Sequence, residues 1–361
     1  MPVPAWVPIR EELRDDEPYG APQLDVPVQL NTNENPYGPS DVAARDIAES
    51  VHRVATSLNR YPDREAIELR ASLAAYLGHG LTVDHVWAAN GSNEIMQQVL
   101  QAFGGPGRTA VSFAPTYSMY PEYARNTHTR WVAGRRRDDF GVDLAAALDL
   151  IAIEKPDVVI LTSPNNPTGT ALDPAHARAI IDAAPGVVVV DEAYAEFRRE
   201  GTPTALELLS EFPRLLVTRT MSKAFALAGG RLGYVAADPA IIDALRIVRL
   251  PYHLSAVSQA VATAALRHEG ELLAQVDALR VTRDETAAWL REQGHDVADS
   301  DANFVLFGTF DDRHAIWQGL LDRGVLVREV GPDGWLRVSI GTQDEMASFR
   351  LALTQVMEET T

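Results

Sequence analysis

The sequence predicts an α/β fold, a large domain with a mostly parallel central sheet under helices, followed by a smaller α+β domain. Three observations predict it. Short apolar runs alternate with helical stretches; the runs, such as Val187–Val190, are continuous rather than alternating, which means strands buried on both faces; and past about residue 265 the strands become shorter and more polar. With 361 residues, 46% of them apolar, the chain can bury a sizeable core. The expected spans are 1–35 for an N-terminal arm joining the small domain, 36–260 for the large domain and 261–361 for the small one.

The elements follow in order. Pro2, Pro4, Pro8, Pro18, Pro22 and Pro27 make the N-terminal stretch an extended arm rather than a helix, either a frayed end or a strap over another surface. From Arg64 the pattern is helical: Ala66, Leu69, Leu73, Tyr76 and Leu77 share one face, with Gly78 as a C-cap. Val83–Ala89 reads as a strand, Glu94–Phe103 as a helix and Thr109–Phe113 as a strand. Asp157–Thr162, Val187–Asp191 and Leu215–Arg219 continue the sheet, and Pro174–Ala183 is a helix with proline in its first turn. Beyond 265, a long helix over Glu271–Arg291 leads to strands at Asn303–Phe307, Val325–Arg328 and Trp335–Ile340, with a helix around Ala315–Asp322.

Charge narrows the function classes. Fifty acidic against 32 basic residues give −18, which repels nucleic acid and anionic membranes. No cysteine is present, so disulfides, thiolate metal sites and a cysteine nucleophile drop out. The nine histidines show no metal spacing. The N-terminus lacks a signal pattern and no apolar run reaches about 18 residues, so a soluble cytoplasmic protein is expected.

Four polar segments stand at the ends of expected strands: AANGSNE (88–94), TSPNNPTGT (162–170), DEAYAEF (191–197) and RTMSKAFALAGGRLGY (219–234). Singly, each reads as a turn, a helix cap or a surface lysine. Together they say more. Asp191 ends an apolar strand, and a buried carboxylate calls for a cationic partner. Lys223 precedes an Ala-Phe-Ala-Leu-Ala run that would desolvate its amine and lower its pKa, freeing a nucleophile suited to imine formation. Arg231, in a glycine-rich turn, and Ser92 and Asn93, opening a helix, can hold an anion. A lysine nucleophile, a phosphate cradle and a carboxylate awaiting a cation match pyridoxal 5′-phosphate.

These segments, with LNTNENPYGPS (30–40), RYPD (60–63), LPYHLS (250–255), SDANFVLF (300–307) and LRVSIG (336–341), resemble the fold-type I aminotransferases of class II, and within them the histidinol-phosphate aminotransferases, over almost the whole chain. The resemblance implies that Lys223 forms the aldimine and shuttles the proton, and that Asp191 pairs with the pyridinium nitrogen. It implies that Asn166 and Tyr194 bond the ring oxygen and that Tyr117 stacks on the ring. Ser92, Asn93, Thr220, Ser222 and Arg231 would hold the phosphate, and Tyr61 would reach it from the neighbouring subunit of a homodimer. Tyr19, Asn93, Tyr252, Arg328 and Arg337 would line the substrate site, which places the proline-rich arm across its entrance as a strap. The implied reaction interconverts L-histidinol phosphate and 2-oxoglutarate with imidazole acetol phosphate and L-glutamate, in histidine biosynthesis. An aromatic aminotransferase acting on phenylalanine or tyrosine shares every cofactor residue, and a decarboxylase of the threonine-phosphate type is a more distant alternative.

Overall fold

The structure, a computed structural model, describes residues 3–4 and 6–360; Pro2 lies outside the described residues. Among the described residues, seven strands form the central sheet. Their order is Val86–Ala89, Gly233–Ala237, Leu215–Thr220, Val187–Asp191, Val158–Thr162, Thr109–Ala114 and Arg130–Arg135. The last five run parallel to one another, whereas Gly233–Ala237 is antiparallel to both its neighbours. Alternate valines of one strand enter opposite cores, Val188 and Val190 on one face and Val187 and Val189 on the other. Continuous β-branched sequence therefore marks a strand covered by helices on both sides.

Several expectations need correction. Val83–Ala89 is not one strand: Val83–His85 is a 3-10 turn, and only Val86–Ala89 joins the sheet. Ala66 is not on the helix face but is the left-handed N-cap (φ 47°) of the helix Ile67–Leu77, which Gly78 closes as expected. The arm contains one 3-10 turn at Glu11–Leu13. The helices Asp41–Ala55 and Leu144–Glu154 and the strands Arg130–Arg135 and Gly233–Ala237 were not foreseen.

A second sheet, antiparallel, orders Arg328–Glu329, Leu336–Ser339, Phe304–Gly308 and Asp296–Val297. The arm is tied to this part of the chain, because Val28–Gln29 pairs in parallel with Val325–Leu326. Leu30 extends the seam: its N–H donates to Leu326 O at 2.8 Å and its carbonyl accepts from Ser339 N at 2.9 Å. Among the described residues no helix is long and apolar enough to cross a membrane. The carboxyl ends of Val86–Ala89, Thr109–Ala114, Val158–Thr162, Val187–Asp191 and Leu215–Thr220 share one edge of the large sheet, where open α/β sheets place their sites.

Candidate active site

At that edge lies a cavity of about 440 Å³, closed by the arm and the small antiparallel sheet. Asp191, the last residue of its strand, is 5% exposed. Tyr120 Oη donates to its Oδ2 at 2.7 Å and the Ala193 N–H to its Oδ1 at 3.1 Å. Burial raises its pKa above the ordinary carboxylate value. Among the described residues no basic side chain pairs with Asp191, so the protein itself does not supply the cation its carboxylate calls for. The neighbouring Glu192 takes the cations instead, with Arg219 at 2.7 Å and Arg198 at 3.5 Å. Burial opposes the charge of Glu192, but these arginines outweigh it and hold its pKa low.

Lys223 stands half-buried in the turn after Leu215–Thr220, its Nζ donating to Thr32 O at 2.9 Å. Burial first, and the nearby Arg337 second, pull its pKa down to about 8. Tyr194, 5% exposed, accepts from Asn33 Nδ2 at 3.0 Å and from Asn166 Nδ2 at 3.5 Å. Two amides on its oxygen leave the phenol proton free to donate into the cavity. Tyr117 also faces the cavity and packs edge-on against Tyr120, with ring centroids 5.5 Å apart.

An anion cradle closes one end. The helix Ser92–Phe103 opens at the cavity with Ser92 and Asn93, and Gly91 before it has φ 83°. A Cβ at Gly91 would lie 2.7 Å from Arg231 Nη2, and one at Gly233 would lie 2.0 Å from Ser92 N, so only glycine admits this approach. Arg231 Nη1 reaches Ser222 Oγ at 3.5 Å, and Thr220 Oγ1 accepts from Ser222 N at 3.1 Å. The free N–H groups of the helix start and the guanidinium suit a phosphate. A cationic lysine neighbourhood, this cradle and a buried carboxylate without a cation fit pyridoxal 5′-phosphate.

Two further arginines face the cavity from the small sheet. Arg337, 6% exposed, donates from Nη1 to Asn166 Oδ1 at 2.6 Å and from Nη2 to Asn31 O at 2.9 Å. Burial lowers its pKa to about 10. Arg328 lies directly opposite it across the ladder and donates to Gly20 O at 3.3 Å. Neither has an ion pair among the described residues. Tyr19, on the arm, lines the cavity together with Ala21. Tyr252 was expected at the substrate site but does not line this cavity. It stacks on Tyr61, ring centroids 4.4 Å apart, and Tyr61 is 79% exposed outside the cavity of its own subunit. Tyr252 is itself 40% exposed.

Sequence reasoning missed Asn33, Thr32, Asn31 and Tyr120. Asn33 had a signal, its place in LNTNENPYG; its φ of 56° and its bonds to Tyr194 and Ser339 had none.

The family described as aminotransferase class I and II matches residues 26–353, and the chain belongs to that class. It is similar to the histidinol-phosphate aminotransferase of Thermobifida fusca, 62% identical over 96% of this chain and 95% of that one. Histidinol-phosphate aminotransferase 3 of Burkholderia lata is also 62% identical, over 97% and 96%. Within the class, the chain falls among the histidinol-phosphate aminotransferases. Among solved structures, it is similar to the histidinol-phosphate aminotransferase of Sinorhizobium meliloti in complex with pyridoxal-5′-phosphate, with TM-score 0.84, 25% identity, and coverage of 93% of this chain and 92% of that one.

Proposed function

We propose that the protein is a pyridoxal-phosphate-dependent transaminase that interconverts L-histidinol phosphate and 2-oxoglutarate with imidazole acetol phosphate and L-glutamate. The observation that carries this reading is the pair Arg328 and Arg337, uncommitted to any carboxylate, facing the same cavity as Lys223. In a chain of charge −18, two arginines without acidic partners favour an anionic substrate end. Their planar forks grip phosphate and carboxylate alike, so one site serves both the donor's phosphate and the acceptor's carboxylate.

When bound, pyridoxal 5′-phosphate supplies an aldehyde for the donor's amine and a ring that withdraws electrons from the carbon bearing it. Ser92, Asn93, Thr220, Ser222 and Arg231 are the residues to hold its phosphate, and Tyr117 to cover its ring. Asp191, a buried carboxylate with no basic side-chain partner among the described residues, is the residue that would keep a proton on the ring nitrogen. Tyr194 and Asn166 orient the ring oxygen. Lys223 Nζ, drawn toward its neutral form by burial, takes the proton from the donor's Cα and returns it on the other side of the transfer. The arm bearing Tyr19, which lines the cavity, is the segment that would limit water's access to it.

The proposed working unit is a cytoplasmic homodimer, with Tyr61 and Tyr252 offered to the partner subunit's site. Support for it is the exposed apolar set on adjoining segments, Leu58, Tyr61, Ile67, Ile247, Leu250 and Tyr252, which Arg249 and Glu65 join at 2.9 Å. A donor assay on purified protein tests the reaction. L-Histidinol phosphate should exceed phenylalanine and tyrosine in kcat/KM by about 100-fold, because the aromatic donors cannot satisfy the arginines in the same way. Equal or better use of phenylalanine overturns the choice of substrate. Carbon dioxide release without any 2-oxo acid would move the protein to the decarboxylases.

A further inference from the structure

The charged groups on the cavity wall are few. The cations are Lys223, Arg231, Arg328 and Arg337, and the carboxylates are Asp191 and Glu34. The reading above, on which this inference rests, engages every one of them except Glu34. Glu34 is exposed, and its Oε2 accepts from Thr32 Oγ1 at 2.9 Å. Among the described residues it forms no ion pair. It follows by two residues the Thr32 carbonyl that receives Lys223 Nζ, so it borders the point where the donor's amine reacts. L-Histidinol phosphate brings three polar groups to the cavity. Its phosphate has the arginines and its amine has the chemistry at Lys223; its imidazole, an N–H donor and at lower pH a cation, has no assigned partner.

We propose that Glu34 determines specificity by accepting the imidazole N–H of the donor. The segment after Gln29 places this carboxylate, because the Val28–Gln29 pairing and the Asn33 bonds to Ser339 and Tyr194 fix the chain on both sides. The acceptor 2-oxoglutarate has no group to donate to Glu34 and two carboxylates that it repels. Glu34 therefore serves one half of the reaction and not the other.

The test compares two donors, L-histidinol phosphate and L-phenylalaninol phosphate, which differ only in the ring. Glu34→Ala, which removes the acceptor altogether, should lower kcat/KM for the imidazole donor relative to the benzyl donor by about tenfold or more, the worth of one hydrogen bond to a charged group. KM for 2-oxoglutarate should stay level or fall. Glu34→Gln, whose amide oxygen can still accept but carries no charge, should lower the same ratio by less. A parallel readout is the dissociation constant of L-histidinol phosphate for Lys223→Ala protein, which should weaken when Glu34→Gln is added. An unchanged ratio, or an equal loss with both donors, overturns the proposal and leaves Glu34 acting only on Lys223. A wild-type enzyme that does not use L-histidinol phosphate overturns the functional reading itself.

Discussion

Asp191 holds a carboxylate in a place where the polypeptide supplies hydrogen bonds but no positive charge. Its raised pKa means that, without cofactor, the charged form costs stability, and the cost grows as pH rises through that pKa. Asp191→Asn removes that cost. The cofactor-free variant should lose less Tm than the wild type as pH rises from acid, while kcat/KM falls about 1,000-fold, or ~4 kcal/mol, because an amide cannot keep the ring nitrogen protonated. Calorimetry beside steady-state assays reads both directions. Lys223 gives a second test. Its neutral amine becomes the major form above about pH 8, so the rate at which cofactor-free protein captures pyridoxal 5′-phosphate should climb with pH through that value, and Lys223→Ala should lose nearly all turnover. Lys223, Arg231 and Ser92 were legible because polar residues stood at strand ends, where a fold of this kind gathers its chemistry. Among the described residues no protein cation stands beside Asp191, because Arg219 and Arg198 pair with Glu192, one residue on, which leaves Asp191 for the ring nitrogen the sequence reading gave it. Tyr120 was illegible: nothing in its local sequence distinguishes a phenol aimed at a carboxylate 71 positions away from one packed in a core.

The short helix Met119–Asn126 works on two sides. Tyr120 faces Asp191, while Arg125 pairs with Asp16 on the strap and with Glu122. Asp16 lies three residues before Tyr19, so this ion pair helps hold the strap over the cavity mouth. Partly exposed pairs contribute ~0–1 kcal/mol, so Asp16→Asn or Arg125→Gln should raise the donor's KM by up to about fivefold with little change in kcat. Raising salt should shrink the difference from wild type, because screening weakens the pair that the variants lack. An unaltered KM at low salt would count against the strap's role. At this scale the valine-rich strands were readable because burial on both faces demands β-branched residues throughout. Arg130–Arg135 escaped notice as a half-exposed edge strand, and Gly233–Ala237 because glycine and alanine carry little strand signal. Asp41–Ala55 buries only Ala43 and Ser50, so its apolar residues do not announce a core-facing helix.

For the whole molecule, the apolar set around Tyr61 and Ile247 is the surface most in need of cover. Ile247 is 83% exposed on one subunit. If the proposed homodimer forms through this surface, Ile247→Asp should shift the protein toward monomer in sedimentation, because a charge would enter an apolar contact, and the monomer should retain pyridoxal 5′-phosphate poorly for want of a second subunit's Tyr61. A fully active monomer would rule out the shared site. The seam between the arm and the small sheet has a further consequence, one of timing. Arg337 donates to the carbonyl of Asn31, and Ser339 bonds Asn33, across 306 positions of chain. During synthesis the segment around Asn31 and Asn33 emerges long before the strand Leu336–Ser339 and cannot complete these bonds until that strand follows. A nascent chain halted before that strand would carry its valine strands and its lysine yet lack both the Arg337 guanidinium and the Ser339 bonds that fix Asn33.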